Sequence, residues 1–276
     1  MNSDWKEEIE SGTRFRFGNN WNSFLSTLNT ERIQIARESL CTMLKVENLN
    51  GLKFLDVGCG SGLFSLCAYQ LGAEVVSFDF DPESIACAKF LRKHFANDDE
   101  LRWQIMEGSV LDRNFIASLG QFDIVYSWGV LHHTGSMWQA LDNVDIPVKH
   151  GGKLFISIYN DQGRTSRRWL NVKRFYNKSP WIVKQILLAI FIVRFTAIGT
   201  IKEIILLRPF KEWRDYKKSR GMSRIQNIRD WIGGLPFEVA KPEQIIFFFK
   251  DKKYSLENLI TCGGGIGCNE YVFSRK

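Results

Sequence analysis

Residues 53–62, Lys-Phe-Leu-Asp-Val-Gly-Cys-Gly-Ser-Gly, constrain the fold more than any other part of the chain. An apolar run ends at three alternating glycines, Gly58, Gly60 and Gly62, and apolar residues at helical spacing follow from Leu63. This pattern predicts a strand, a tight turn and a helix. Glycine lets the backbone approach a ligand closely, and a helix N-terminus offers free N–H groups to an anion. We therefore predict a nucleotide-type ligand.

The spacing of these glycines disfavours a dinucleotide. The sequence motif of dinucleotide-binding proteins needs glycine or alanine five positions after its first glycine, where this chain has Leu63. Asp56 precedes the turn, and Asp79 follows Gly60 by nineteen residues. The two acids at this spacing favour another nucleotide-type ligand.

Two motifs resemble those of a known family. The segments Asp56-Val-Gly-Cys-Gly-Ser-Gly62 and Val75-Val-Ser-Phe-Asp-Phe-Asp-Pro82 are similar to the first two motifs of the class I S-adenosylmethionine (SAM) dependent methyltransferases. The resemblance implies SAM as cofactor, with Asp79 accepting hydrogen bonds from the ribose hydroxyls. It covers about residues 50–160 and 237–276. The insert and the N-terminus, which the general family does not specify, are similar to an uncharacterised bacterial branch loosely labelled benzoquinol methylases.

Apolar runs alternate with helical patterns from Phe54 to Tyr159, which predicts a parallel sheet with helices on both faces. Ligands in such sheets bind at the carboxyl ends of the strands. A helix at 243–250 and strands at 254–262 and 269–273 would supply the antiparallel last strand that the resemblance implies. The predicted fold class is α/β: a doubly wound, seven-stranded, mostly parallel Rossmann-like sheet with a helical cap inserted after strand 5.

We divide the chain into four parts. They are an N-terminal helical extension (1–50), the SAM-binding core (51–160), a helical insert or cap (161–236) and the C-terminal part of the core (237–276). The insert is assigned because about seventy residues are far more than an ordinary α/β connection needs. In the extension, Asn29 is predicted to cap a helix, and Trp21 is predicted to help close the site.

The segments after the third and fourth strands complete the predicted site. Gly108-Ser109 departs from the family's usual Gly-Asp, and Ser109 is predicted to accept a hydrogen bond there instead. The segment Ser127-Trp-Gly-Val-Leu-His-His133 is similar to the family's lining of the methyl group and the acceptor. The residues that the resemblance assigns to cofactor binding are Asp56, Gly58, Cys59, Gly60, Gly62, Asp79, Phe80, Ser109, Val110 and Trp128.

Two adjacent histidines, His132 and His133, are the candidate catalytic residues, since His94 and His150 lie on peripheral segments. An imidazole can remove a hydroxyl proton at neutral pH. One of two adjacent histidines usually points inward, so each stays a candidate for the base, with Tyr159 or no base as the alternative. No metal is predicted, and six cysteines without a Cys-x-x-Cys pair favour reduced thiols in a cytoplasmic protein.

Positive charge is concentrated between Arg164 and Arg220, where fifteen Lys or Arg residues stand against three acids. Such asymmetry indicates an anionic partner, or else a solvated helical face. The leading hypothesis is methyl transfer to an oxygen or nitrogen of a small-molecule, glycan or lipid-linked acceptor. The alternatives are a non-enzymatic SAM-binding protein and an RNA methyltransferase, which would bind phosphates through the insert and stack bases on Trp169, Phe175, Tyr176, Trp213 and Tyr216.

A very apolar helix is predicted at 181–207. Its length and the central Arg194 argue against a membrane span. Lys184 and Lys202 are eighteen residues apart, five full turns, which predicts one polar face. Such a helix can lie in a bilayer interface, bury its apolar side in the core or form a homodimer. We expect a cytoplasmic protein, with peripheral contact at the inner membrane face left open.

Overall fold

The computed structural model describes residues 7–15, 17, 25, 28–205 and 224–276. Seven strands form one sheet in the order β3-β2-β1-β4-β5-β7-β6. The strands are β1 (Lys53–Val57), β2 (Glu74–Asp79), β3 (Trp103–Glu107), β4 (Phe122–Trp128), β5 (Val148–Tyr159), β6 (Tyr254–Ile260) and β7 (Cys268–Arg275). All pairs are parallel except those of β7, which runs antiparallel to β5 and β6. The predicted fold class is confirmed.

Helices cover both faces of this sheet. Those described are α1 (Thr30–Leu44), α2 (Leu63–Gln70), α3 (Pro82–Phe95), α4 (Arg113–Ser118), α5 (Met137–Asn143), α6 (Arg164–Lys178), α7 (Trp181–Ile205), α8 (Arg224–Gly233) and α9 (Pro242–Asp251). The buried apolar side chains of β1, β4 and β5 contribute to two large hydrophobic clusters. This doubly wound arrangement places the carboxyl ends of β1, β2 and β4 together at one edge.

Helix starts follow the sequence closely. The side chain of Asn29 accepts a hydrogen bond from the Arg32 N–H, and that of Asp81 accepts one from the Glu83 N–H, with Pro82 in the first turn. Helix α8 ends at Gly233. Burial of apolar side chains in this last turn, including Ile232, favours the helix.

Helices α6, α7 and α8 follow β5 and precede α9 along the chain. They pack on one another around a small apolar cluster that includes Tyr176 and Leu188. Of the residues predicted for a polar face on α7, Gln185 is exposed, and Lys184 is half-buried with its Nζ 6.0 Å from the ring centroid of Tyr176. The Lys202 side chain lies outside the described residues. The helix also exposes apolar side chains, since Ile182, Ile186, Ile190 and Val193 are each more than half exposed. No helix in the described ranges is both long and apolar enough to cross a membrane.

Candidate functional site

The glycine turn after β1 is a tightly packed backbone loop. Gly58 has φ +74°, and a Cβ there would lie 2.4 Å from Cγ1 of Val130. Gly62, the N-cap of α2, has φ +80°, and a Cβ there would lie 2.8 Å from the Cβ of Ala88. Both positions therefore require glycine for conformation and for space. The burial of Cys59 within the turn raises the pKa of its thiol, which disfavours the nucleophilic thiolate.

Asp79 lies at the carboxyl end of β2, directly beside the glycine turn. Its Oδ2 accepts a hydrogen bond from the Gly60 N–H at 2.8 Å, and its Oδ1 accepts one from the Asp81 N–H at 2.9 Å. Each carboxylate oxygen keeps a second lone pair for a ligand hydroxyl. Burial raises the pKa of Asp79 to about 6, against the opposing effect of these two hydrogen bonds.

Asp56 is buried at the base of the turn. Its Oδ2 accepts a hydrogen bond from the Ser65 hydroxyl at 2.6 Å. Burial is the largest cause that raises the pKa of Asp56 to about 7, and the charge of Asp79 adds to it. At neutral pH the folded protein therefore holds protons that an unfolded chain would release.

This proton uptake predicts how stability depends on pH. Between about pH 4 and pH 7 the folded state binds more protons at Asp56 than the unfolded state, so its contribution to stability falls as the pH rises. Asp56→Asn keeps an oxygen for the Ser65 hydroxyl and cannot ionise. The unfolding free energy of Asp56→Asn minus that of wild type should therefore increase by up to about 3 kcal/mol between pH 4.5 and pH 7.5. Urea unfolding at both pH values measures this, and an advantage independent of pH would contradict it.

A cavity of about 330 Å³ opens at this edge of the sheet. It is lined by the glycine turn, by both acids and by the other residues predicted for the cofactor, Phe80, Ser109, Val110 and Trp128. The Ser109 hydroxyl oxygen already accepts a hydrogen bond from the Leu111 N–H at 3.2 Å. The cavity has the size of a small-molecule site. Within the described ranges, no three His, Cys, Asp or Glu residues are placed to hold a metal ion.

The N-terminal extension forms one wall of this cavity through Glu8, Arg14, Phe15 and Phe17. Arg14 pairs with Glu8, stacks its guanidinium over Phe80 at 5.4 Å and donates a hydrogen bond to the His133 carbonyl oxygen at 3.3 Å. Among the described lining residues it is the only lysine or arginine. The sequence indicated an aromatic, basic extension, but not which residue reaches the site. Trp21 lies outside the described residues.

The structure separates the two candidate histidines. Both sit in a 3-10 turn after β4, Leu131–His133, but only His133 lines the cavity. His132 is fully buried, its ring 3.9 Å from that of Tyr159, and neither of its nitrogens has a hydrogen-bond partner of normal geometry. Burial also raises the pKa of Tyr159 well above its usual value, so this phenol keeps its proton at neutral pH and has no charged oxygen to act as a base.

The tautomer of His133 is fixed by the backbone. Its Nδ1 lies 2.6 Å from the Pro236 carbonyl oxygen, which can only accept, so Nδ1 carries the proton. Nε2 is then the nitrogen with a free lone pair. Burial, followed by the charge of Lys173, lowers the pKa of His133 to about 3, which keeps the ring neutral at physiological pH. Lys173 was not predicted to act near the site.

Comparisons with known proteins agree with this geometry. Residues 55–154 match the family model described as a methyltransferase domain. The ubiquinone biosynthesis O-methyltransferase of Brucella ovis is 28% identical over 142 residues, covering 49% of this chain and 54% of that protein. The enzyme of the same name from Pelagibacter ubique is 27% identical over 170 residues, covering 58% of this chain and 67% of that protein. The chain thus spans only about half the length of the first of these relatives.

Solved structures share the fold. The crystal structure of magnesium protoporphyrin IX methyltransferase from Synechocystis PCC 6803 with bound SAH matches with a TM-score of 0.53 at 15% identity, covering 94% of both chains. The strand order, the glycine turn and the carboxylate after β2 define the fold of a class I methyltransferase. Through this fold and the methyltransferase domain at residues 55–154, the chain is similar to the class I SAM-dependent methyltransferases, and loosely to the benzoquinol methylases.

The described residues fit the cofactor of this family. The glycine turn brings the backbone to the cavity without side chains, and α2 begins there with its N–H groups. Asp79 would accept hydrogen bonds from the ribose hydroxyls, and Phe80, Ser109 and Val110 also line the cavity. When bound, SAM supplies a methyl group on a positively charged sulfur.

Proposed function

We propose that this protein transfers the methyl group of SAM to an oxygen atom of an amphipathic small molecule, with His133 accepting the proton that the oxygen loses. The observation that carries the proposal is the His133 imidazole, which lines the cavity with Nδ1 tied to Pro236 and Nε2 left free. The acceptor oxygen would form its bond to the methyl carbon as the carbon–sulfur bond breaks, and the electron pair of that bond stays on sulfur.

A pKa of about 3 makes His133 a weak base that is neutral at physiological pH. A hydroxyl oxygen becomes strongly acidic as it bonds to the methyl group, so even an imidazole with a pKa of about 3 can take its proton. An imidazole with this pKa is also unprotonated throughout the neutral range, so its lone pair is always available. Positioning would supply most of the remaining acceleration, because effective molarities of aligned reactants can lower a barrier by about 7–11 kcal/mol.

The chemistry of the cavity favours an apolar or aromatic acceptor. Phe15 and Phe17 from the extension and Phe64 and Trp128 from the core line it together with His133. The relatives are named O-methyltransferases, which favours oxygen over nitrogen.

The RNA alternative loses support from the insert. Of the five aromatic side chains considered for base stacking, Tyr176 is buried, Trp169 packs against Phe191, and Trp213 and Tyr216 lie outside the described residues. Among the described ones only Phe175 is exposed, and a single exposed ring is a weak stacking surface.

The test of the proposed function is methyl transfer itself. The protein is incubated with methyl-labelled SAM and cell extract, which is then fractionated into lipid, glycan and RNA. We expect label in a lipid-soluble product whose bond resists mild base, as an ether does. Label in RNA, or in no fraction at all, would refute the proposal.

We further propose that the insert docks on an anionic bilayer surface, where an amphipathic acceptor would reside. The exposed apolar face of α7 (Ile182, Ile186, Ile190 and Val193) lies on the helix that packs against α6, and α6 carries four exposed arginines: Arg164, Arg167, Arg168 and Arg174. No acidic residue occurs from 164 to 202. An apolar stripe beside cationic side chains is complementary to anionic lipid.

Vesicle sedimentation tests this surface. Wild type should sediment with vesicles of phosphatidylcholine and phosphatidylglycerol and much less with phosphatidylcholine alone. Ile186→Glu with Ile190→Glu should reduce binding by about tenfold or more, since each change places a charge in the interface. Gln185→Glu, which alters an exposed residue beside the stripe, is the matched control and should bind nearly normally. The proposal is wrong if wild type is a dimer that binds neither kind of vesicle and the double change dissociates it. The apolar face of α7 would then be a subunit interface.

A further inference from the structure

Lys173 of α6 is fully buried, which is unusual for a lysine. Its Nζ lies 4.5 Å from the ring centroid of Trp231, 4.6 Å from that of Phe237 and 5.8 Å from that of Tyr159. Three aromatic rings therefore surround the amine, an arrangement that stabilises a cation. Burial is nevertheless the largest influence on this group and lowers the pKa of Lys173 to about 7.

The amine is aimed at the end of α8. Lys173 Nζ donates a hydrogen bond to the Trp231 carbonyl oxygen. One turn further along α6, Asn177 Nδ2 donates to the Gly233 carbonyl oxygen at 2.6 Å. The last carbonyl groups of a helix have no partner within the helix, and a cation is favoured there. Two side chains of α6 therefore cap the C-terminus of α8 and fix where the chain leaves it.

The segment that leaves α8, residues 233–237, runs directly to His133. Gly234 packs so closely that a Cβ would lie 2.9 Å from Cε1 of His133 and 2.7 Å from the Asp230 carbonyl oxygen. Two residues later, the Pro236 carbonyl oxygen accepts the hydrogen bond from His133 Nδ1. A shift of the α8 terminus would therefore move the carbonyl oxygen that accepts the hydrogen bond from His133 Nδ1.

We propose that Lys173 is a positioning residue: by capping α8 it holds the 233–237 segment, and through the Pro236 carbonyl oxygen it keeps the proton of His133 on Nδ1 and the lone pair on Nε2. The catalytic consequence rests on the proposed function, whereas the geometric one does not. The titratable groups around this arrangement are Asp230 and Cys268 beside Lys173, Tyr159 and His132 beneath it, and Arg14 beside His133.

The test replaces Lys173 with methionine, which fits among aromatic rings but neither donates a hydrogen bond nor carries a charge. Lys178→Met makes the same change at an exposed site on the same helix and is the matched control. Nitrogen-15 NMR reports the tautomer, and single substitutions assign the signals because the chain has only four histidines. Wild type and Lys178→Met should show His133 protonated at Nδ1. In Lys173→Met part of the population should carry the proton on Nε2.

Kinetics completes the test. In Lys173→Met, kcat should fall by about tenfold or more while the Kd for SAM stays within about twofold, because only the base is misplaced. Asn177→Ala, which removes the other cap, should shift the same NMR signals less and replaces Lys173→Met if that variant does not fold. His133 signals in both variants identical to those of Lys178→Met would overturn the proposal. Altered signals with unchanged kcat would uphold the positioning role and refute the proposed role of His133.

Discussion

Replacing His133 with asparagine should lower kcat by about 10²–10⁴-fold, the range that a general base contributes, and leave SAM binding near normal. The amide nitrogen of asparagine can still donate to the Pro236 carbonyl oxygen, so the contact at 2.6 Å is kept. What the variant lacks is a basic nitrogen in the place of Nε2. Single-turnover rates with saturating SAM, together with calorimetric SAM affinity, separate the chemical step from cofactor binding.

His132→Phe serves as the control for that change. His132 is buried against Tyr159 and does not line the cavity, so a phenyl ring should preserve its packing and leave kcat close to that of wild type. A large loss of kcat in His132→Phe with a normal His133→Asn enzyme would reverse the roles we propose for the two histidines. Full activity in both variants would show that the reaction needs no histidine base.

The cofactor side of the site could be predicted from sequence because its parts are local. Gly58, Gly62 and Asp79 belong to one β1–α2–β2 unit, in which strand pairing fixes their mutual placement. Positive φ and the lack of room for a Cβ leave a glycine signature that spacing alone can show. The caps at Asn29 and Asp81 were predictable for the same reason, since a capping side chain acts within three residues.

The acceptor side could not be predicted because its contacts join distant segments. Arg14 reaches the His133 carbonyl oxygen across 119 positions, and Pro236 reaches the imidazole across 103. No local pattern records such pairs. The two adjacent histidines were equivalent in sequence, and only the 3-10 turn after β4 decides which one lines the cavity. In α7 the spacing of Lys184 and Lys202 predicted one polar face, but it did not predict that tertiary packing brings Lys184 to the ring of Tyr176 or that three isoleucines are exposed.

Asp79→Ala should raise the Kd for SAM by about tenfold or more, because hydrogen bonds to a charged group contribute about 1.5–3 kcal/mol each. The change also removes the acceptors of the Gly60 and Asp81 N–H groups, so part of the loss would come from a looser glycine turn. Asp79→Asn separates these effects, since it keeps one oxygen for a backbone N–H and loses the charge. Glu107, which pairs with Asp79 from β3 but does not line the cavity, supplies the matched control Glu107→Ala.

The ionisation of Asp79 gives the same prediction a pH dependence. The ionised carboxylate is the form that accepts two ribose hydroxyls, and burial raises its pKa to about 6, so SAM affinity should fall as the pH drops below 6. Asp56, whose pKa is raised to about 7, also changes its charge in this pH range, but it does so in wild type and in Asp79→Asn alike. The difference between wild type and Asp79→Asn should therefore be large at pH 7.5 and shrink at pH 5.5, where much of the wild-type carboxyl is protonated. Calorimetry at both pH values measures it, and an affinity equal in the two proteins at pH 7.5 would remove Asp79 from the cofactor site.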